Sequence, residues 1–274
     1  MPELPEVETT IRGLKPILNS AIIDIKIHTP KLRFLIPKNI TLIKRGVKII
    51  EIKRKGKFII FSLSNKSAIV LHLGMSGRLQ LININKFLKK KHDHFILKTN
   101  SNYLLVLNDP RRFGFLDYDN EEDIYLRKYI LNLGCDALSK LFTAHYLFLK
   151  INKKSVQIKQ ILLDQNIVAG IGNIYASEIL FNAKISPFCE GRNLNLSECS
   201  SLVISTKKIL NKAIKAGGSS LKDYVSADGT LGNFQNQFKV YNRNGKKISG
   251  NLIQKTVQYG RTTYYCPFLQ KMHH

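Results

Sequence analysis

The stretch FIIFSLSNKSAIVLHLGMSG, residues 58–77, reads as two strands, a tight polar turn between them, and a glycine-bracketed turn after them. β-Branched and aromatic residues crowd Phe58–Leu63 and Ala68–Leu73, while SNKS between them carries turn chemistry. The same texture extends outward, through Ile22–Ile27 and Val47–Ile52 on one side and His94–Thr99 and Tyr103–Leu107 on the other, the last two split by NSN. Short strands with frequent turns predict a β-sandwich or barrel. Ahead of them, Val7, Ile11, Leu14 and Leu18 recur at helical spacing, which predicts a helix over 5–18. Beyond Leu116 the pattern turns helical at Ile124–Leu133, Phe142–Lys150, Val156–Leu163, Tyr175–Phe181 and Ser197–Ala216, the last opening at an N-cap Ser197. A Gly/Ser/Asp-rich stretch, Gly217–Gly232, precedes strand signals at Phe238–Tyr241, Thr256–Gln258 and Thr262–Tyr265, with a turn around Asn242–Gly245. The expectation is an α+β chain in three parts, 1–133, 134–232 and 233–274, with no internal repeat.

The charge balance points to a partner. With 43 Lys+Arg against 19 Asp+Glu in 274 residues, the net charge is +24. That field draws a polyanion, and nucleic acid is the commonest one in a cell; AT-biased coding, which enriches Lys, Ile and Asn, is the competing source of the excess. No apolar run approaches the ~18 residues of a membrane span, and the acidic start fits neither a secretory signal nor a transit peptide. Cys135, Cys189, Cys199 and Cys266 are widely spread, which fits a reducing compartment. The expected location is cytoplasmic, at the nucleoid.

Several residues could carry chemistry. Removal of Met1 would leave Pro2 as a secondary amine, and α-amino groups titrate near pKa ~8, so an appreciable fraction is nucleophilic at neutral pH. Glu3 and Glu6 lie beside it, and an amine with a carboxylic acid can attack an electrophilic carbon while protonating its leaving oxygen. Proline and acidic residues are equally at home at a helix start. Met75, at the tip of HLGMSG, and the Arg111–Phe113 pair of DPRRFG (109–114) offer a wedge and a stacking cation–aromatic pair on turns, though either turn could be merely structural. Lys53–Lys57 is a basic cluster entering a strand. KHDH (91–94) carries two histidines on one strand face with no further ligand cluster in view, so a phosphate contact or plain solvent fits better than a metal. In GIGNIYA (170–176), Asn173 is a candidate N-cap at a helix start open to phosphate. Near the C-terminus Cys266 has no C-x-x-C partner, because Leu269 stands there, and His273 and His274 are the only further donors.

Read in order, MPELPEVET, HLGMSG, KHDH, DPRRFG, LLDQ (162–165), GIGNIYASE and GRTTYYCP (260–267) resemble the formamidopyrimidine-DNA glycosylase family essentially end to end. Leu4-Pro5-Glu6 favours this family over its relative, endonuclease VIII. The resemblance implies an N-terminal β-sandwich bearing the first helix, a helix–two-turn–helix domain and a C-terminal β-hairpin finger. It implies base-excision repair of double-stranded DNA by a monomer, with removal of 8-oxoguanine and formamidopyrimidines followed by β,δ-elimination at the abasic site. Pro2 would attack C1′ to form a Schiff base, and Glu3 would protonate the sugar oxygen. Lys57 would act at β-elimination, and Arg261 would grip phosphate and act at δ-elimination. Asn173 and His92 would hold the backbone. Met75, Arg111 and Phe113 would fill the gap left by the flipped base, with Arg111 facing the orphaned cytosine. Gly217–Tyr224 would cover that base.

Two departures stand out. The family's finger carries four zinc cysteines; here Ile248, Asn251 and Leu269 occupy three of those positions and only Cys266 remains, so no metal or other cofactor is expected. A basic DNA-contacting residue expected at Ser155 is absent, and Lys154 beside it would substitute. The alternative functional reading is a catalytically decayed DNA-binding protein of the same fold; retention of Pro2, Glu3, Lys57, Asn173 and Arg261 argues against it. An RNA-binding protein would instead show stacking aromatics on a sheet.

Overall fold

A computed structural model of the chain describes residues 2–220, 227 and 232–272. The chain forms two compact units, Met1–Leu131 with Ala216–Asn233, and Asn132–Lys215 with Phe234–His274. This differs from a division into 1–133, 134–232 and 233–274. The segment after residue 215 returns to the first unit, where Ser219 and Ala227 bond to Glu6 and Leu81, and the C-terminal hairpins share a unit with the helices.

The first unit opens with α1 (Leu4–Gly13). The predicted helix over 5–18 stops early because Pro16 has no N–H to continue it, and Lys15–Ile17 tightens into a 3₁₀ turn instead. Eight strands follow among the described residues: β1 (Ile22–Ile27), β2 (Ile49–Lys55), β3 (Phe58–Leu63), β4 (Ser67–His72), β5 (Arg78–Asn83), β6 (Asp93–Thr99), β7 (Tyr103–Asn108) and β8 (Phe115–Asn120). They make two antiparallel sheets, ordered β1-β6-β7-β5 and β2-β3-β4-β8. One shared core takes Ile59, Phe61, Ile69 and Leu71 from the second sheet and Phe95, Leu97, Leu105 and Leu107 from the first, with Val7 of α1. Their two-residue spacing is what a sandwich needs, and each such side chain contributes roughly 1.5–3 kcal/mol on burial. Residues 124–133, expected as one helix, form α2 (Glu121–Leu126) and α3 (Lys128–Leu131). Ser62 Oγ donates to Glu121 Oε1 at 2.7 Å, tying β3 to the start of α2.

In the second unit, a parallel bridge between β9 (Cys135–Asp136) and β10 (Val168–Ala169) joins the segments around α4 (Ala144–Ile151) and α5 (Ile158–Leu163). Then come α6 (Asn173–Asn182) and α7 (Leu196–Lys215). The N-cap of α7 is Asn195 rather than Ser197. Asn195 Oδ1 accepts from Glu198 N at 3.0 Å and Glu198 Oε2 accepts from Asn195 N at 2.8 Å, a reciprocal capping box. Likewise Gly172, not Asn173, caps α6. Two hairpins end the unit, β11 (Lys247–Ile248) with β12 (Asn251–Leu252), and β13 (Gln254–Gln258) with β14 (Arg261–Tyr265). Phe238–Tyr241 is not a strand. The backbone N–H groups of Lys239, Val240 and Tyr241 all donate to the Glu178 carboxylate at 2.8–2.9 Å. Burial pushes the pKa of Glu178 up, against the pull of those three donors.

Candidate active site and nucleic-acid interface

The first unit holds the nucleophile candidate. Pro2 is buried just before α1, and Glu3 is the extended N-cap residue, only 2% exposed. Glu6, one helical turn on, accepts from Glu3 N through Oε2 at 2.9 Å. Its Oε1 accepts from Ser219 N at 2.8 Å and Ser219 Oγ at 3.0 Å. Gly217 and Gly218 reach this spot with φ of +78° and +79°, and a Cβ on Gly218 would lie 3.1 Å from Glu6 Oε1. Glu6 therefore holds both the cap residue and the start of the Gly217–Tyr224 stretch, whose residues 221–224 lie outside the described ones. The sequence offers Glu6 beside Glu3 as a candidate carboxylate near Pro2; its hold on Ser219, 213 residues further along the chain, has no local signal.

Lys57 sits in the two-residue turn between β2 and β3, beside Gly56 at φ +58°. It is 7% exposed. Arg54 ties that turn to α1, because its Nε donates to Glu8 Oε2 at 3.1 Å and its Nη1 to Gly56 O at 3.0 Å. Next to Lys57, Phe58 pairs with His72 across the strands, their rings 4.9 Å apart. His72 is held at pKa about 4 by burial, then by the positive charges of Lys57 and Arg33. Its Nδ1 accepts from Gly74 N at 3.0 Å, so the neutral ring carries its proton on Nε2.

The two glycine-rich turns interlock. Ser76 Oγ donates to Asp109 Oδ1 at 2.5 Å and accepts from Arg111 N at 3.2 Å. Asp109 Oδ2 accepts from Gly114 N at 2.6 Å, and Asp109 is fully buried. The lock sets three exposed side chains on neighbouring turns. Met75 and Phe113 are 42% and 41% exposed, and the Arg111 guanidinium lies 4.7 Å from the Phe113 ring centroid. Within KHDH, His94 is a structural residue, buried and bonded to Thr29 Oγ1 and Asp109 O at 2.8 and 2.9 Å, whereas His92 is only half-buried.

In the second unit Arg261 is exposed at the start of β14 and Lys154 is exposed after α4. Asn173 opens α6, with Nδ2 donating to Thr262 O at 2.9 Å. Its buried Oδ1 has no partner among the described residues. The second hydrogen on Nδ2 leaves a donor for a ligand.

The residues at the expected zinc positions do not fit a zinc ion. Ile248 pairs with Asn251 across a turn whose central residues, Ser249 and Gly250, have φ of +48° and +78°, the signature of a type I′ hairpin. Asn251 Nδ2 donates to Ser249 O at 2.8 Å. Cys266 is fully buried, and the Gln270 amide bridges its N–H (2.7 Å) and Ile185 O (2.9 Å). Among the described residues no three His, Cys, Asp or Glu gather as a metal would require; His273 and His274 lie outside them.

Residues 1–116 match the formamidopyrimidine-DNA glycosylase N-terminal domain, and residues 133–225 match the H2TH domain of the same enzymes. The chain belongs to the formamidopyrimidine-DNA glycosylase family. It is 46% identical over 273 residues to the formamidopyrimidine-DNA glycosylase of Zymomonas mobilis, covering 99% of this chain and 100% of that one. It is 42% identical to that of Wolbachia pipientis from Culex pipiens, over 97% and 98% of the two chains. Among solved structures it is similar to the Lactococcus lactis enzyme in complex with an abasic-site-containing DNA, with a TM-score of 0.89, 34% identity, and 98% and 100% of the chains covered. A mutant of that enzyme has been solved with a Fapy-dG-containing DNA, and there the TM-score is 0.90. No described helix is long and apolar enough to cross a membrane.

Proposed function

We propose that Pro2, freed by removal of Met1, is the covalent nucleophile of this base-excision repair enzyme. Its activity is that of the family, excision of oxidised purines from DNA and cleavage of the abasic site that results. The observation that carries the assignment is the buried Pro2–Glu3 pair at the open end of α1, with Glu6 fixing the cap. The amine attacks C1′ of the damaged nucleoside as the base leaves with the glycosidic electron pair, and the proton lost from the amine passes to the departing base. Glu3 gives its proton to the sugar oxygen, the ring opens, and the nitrogen is left as an iminium. That iminium is an electron sink for β-elimination, in which Lys57 acts, and for δ-elimination, in which Arg261 acts while it holds phosphate.

Damaged DNA is the partner, as in the complexes solved for the Lactococcus lactis relative. Asn173, His92 and Lys154 contact its backbone, and Met75, Arg111 and Phe113 occupy the space of the extruded base; their exposure on two interlocked turns supports this role. The C-terminal hairpin works without zinc, a reading supported by its type I′ turn and by Gln270.

Borohydride trapping on a duplex with 8-oxoguanine opposite cytosine tests the central assignment. The wild-type protein is expected to give a covalent adduct and Pro2→Gly none. An undiminished adduct in that variant would remove Pro2 from the mechanism.

A further inference from the structure

The tip of the last hairpin is a two-residue turn, Tyr259–Gly260, with φ of +49° and +72°, flanked by the paired Gln258 and Arg261. Arg261 is exposed there, yet its neighbours on both strands are held from below by one buried polar chain. Lys159 of α5 is 1% exposed. Its Nζ donates to Thr263 Oγ1 at 2.6 Å and to Thr262 O at 3.2 Å. Thr263 Oγ1 passes a hydrogen bond to Gln258 Oε1 at 2.5 Å, across the hairpin. Gln258 Nε2 donates in turn to Gln157 Oε1 at 2.7 Å and Pro187 O at 3.3 Å. The Thr262 carbonyl takes a second bond from Asn173 at 2.9 Å.

We propose that Lys159 is a positioning residue for Arg261, acting through Thr262 and Thr263. A buried ammonium is costly unless its protons find acceptors, and two of the acceptors of Lys159 belong to the two residues that follow Arg261. Fixing residues 258, 262 and 263 leaves Arg261 the mobile side chain on an immobile backbone, so that little ordering cost is left for phosphate binding. Lys159 itself is too buried to reach a phosphate. Its removal can weaken phosphate binding only by way of the residues it holds.

The inference rests on the reading of Arg261 as a phosphate contact, and one experiment tests both. Full-length variants are titrated with a duplex carrying a tetrahydrofuran abasic-site analogue over a range of salt, and their melting is recorded. Arg261→Ala is expected to reduce the slope of log K against log salt by about 0.9, one phosphate, and to weaken binding about tenfold. Lys159→Met and the charge-neutral Thr263→Val are expected to do the same, Thr263→Ser to bind like wild type, and Lys159→Met/Arg261→Ala to bind no more weakly than Arg261→Ala. Weaker binding with an unchanged slope, or additive losses in the double variant, would overturn the positioning role. An unchanged slope in Arg261→Ala would instead overturn the phosphate contact, and the proposal with it. Should Lys159→Met fail to fold, Thr263→Val carries the comparison.

Discussion

Gly74 packs so closely on Phe113 that a Cβ there would lie 2.3 Å from both the carbonyl carbon and the carbonyl oxygen of Phe113. Gly74 also has φ +61°, a conformation unfavourable to other residues. Gly74→Ala is therefore expected to lose roughly 2 kcal/mol or more of stability and to disturb the neighbouring Met75 and Phe113. Urea unfolding and duplex affinity would check both. A variant as stable as wild type would show that the two turns are not interlocked.

The Ser76–Asp109 bond makes a gentler test of the same lock. Ser76→Ala removes a partner from the fully buried Asp109, a change worth about 1–3 kcal/mol. Affinity for duplex DNA should fall while borohydride trapping by Pro2 persists at saturating protein. Loss of trapping at saturation would tie this lock to the chemistry as well as to binding.

His72 gives stability a specific pH dependence. Its folded pKa of about 4 lies below its ordinary 6.5, so between these values the unfolded chain binds more protons than the folded one. Stability is then complete above about pH 6.5, falls as pH drops through the window, and levels off near 4, for a loss of at most ~3 kcal/mol. In His72→Gln that part of the decline should be missing. Parallel pH profiles of the unfolding free energy in the two proteins would contradict it.

Gln270 holds Cys266 N and Ile185 O through one buried amide. Gln270→Ala should cost about 2 kcal/mol by leaving those groups unpaired, and a chelator should change neither melting nor activity of the wild type. Stoichiometric zinc in the purified protein would refute the metal-free reading.

Much of this was visible in the residues themselves. β3, β4, β6 and β7 alternate or run apolar between turn residues, and they fall within a residue of their expected places. β5 and β8 were not, because Arg78, Gln80 and Asn83 in one and Asp117, Asp119 and Asn120 in the other dilute the strand signal. Phe238–Tyr241 has strand composition, but its N–H groups bind Glu178, about sixty residues earlier, and no local pattern carries that information. The site divides the same way. Pro2, Glu3, Lys57, Asn173 and Arg261 sit in recognisable motifs, whereas Lys159 looks like any helix lysine until its burial is known.

The zinc-free hairpin proposed above also bears on when the enzyme can work. Zinc held by thiolates is released when peroxide oxidises them, and peroxide is also a source of oxidised purines. Here the knuckle positions carry Ile248, Asn251 and Leu269, and the one remaining thiol, Cys266, is fully buried. On that proposal, repair would keep its footing in the same oxidising conditions that create its substrate.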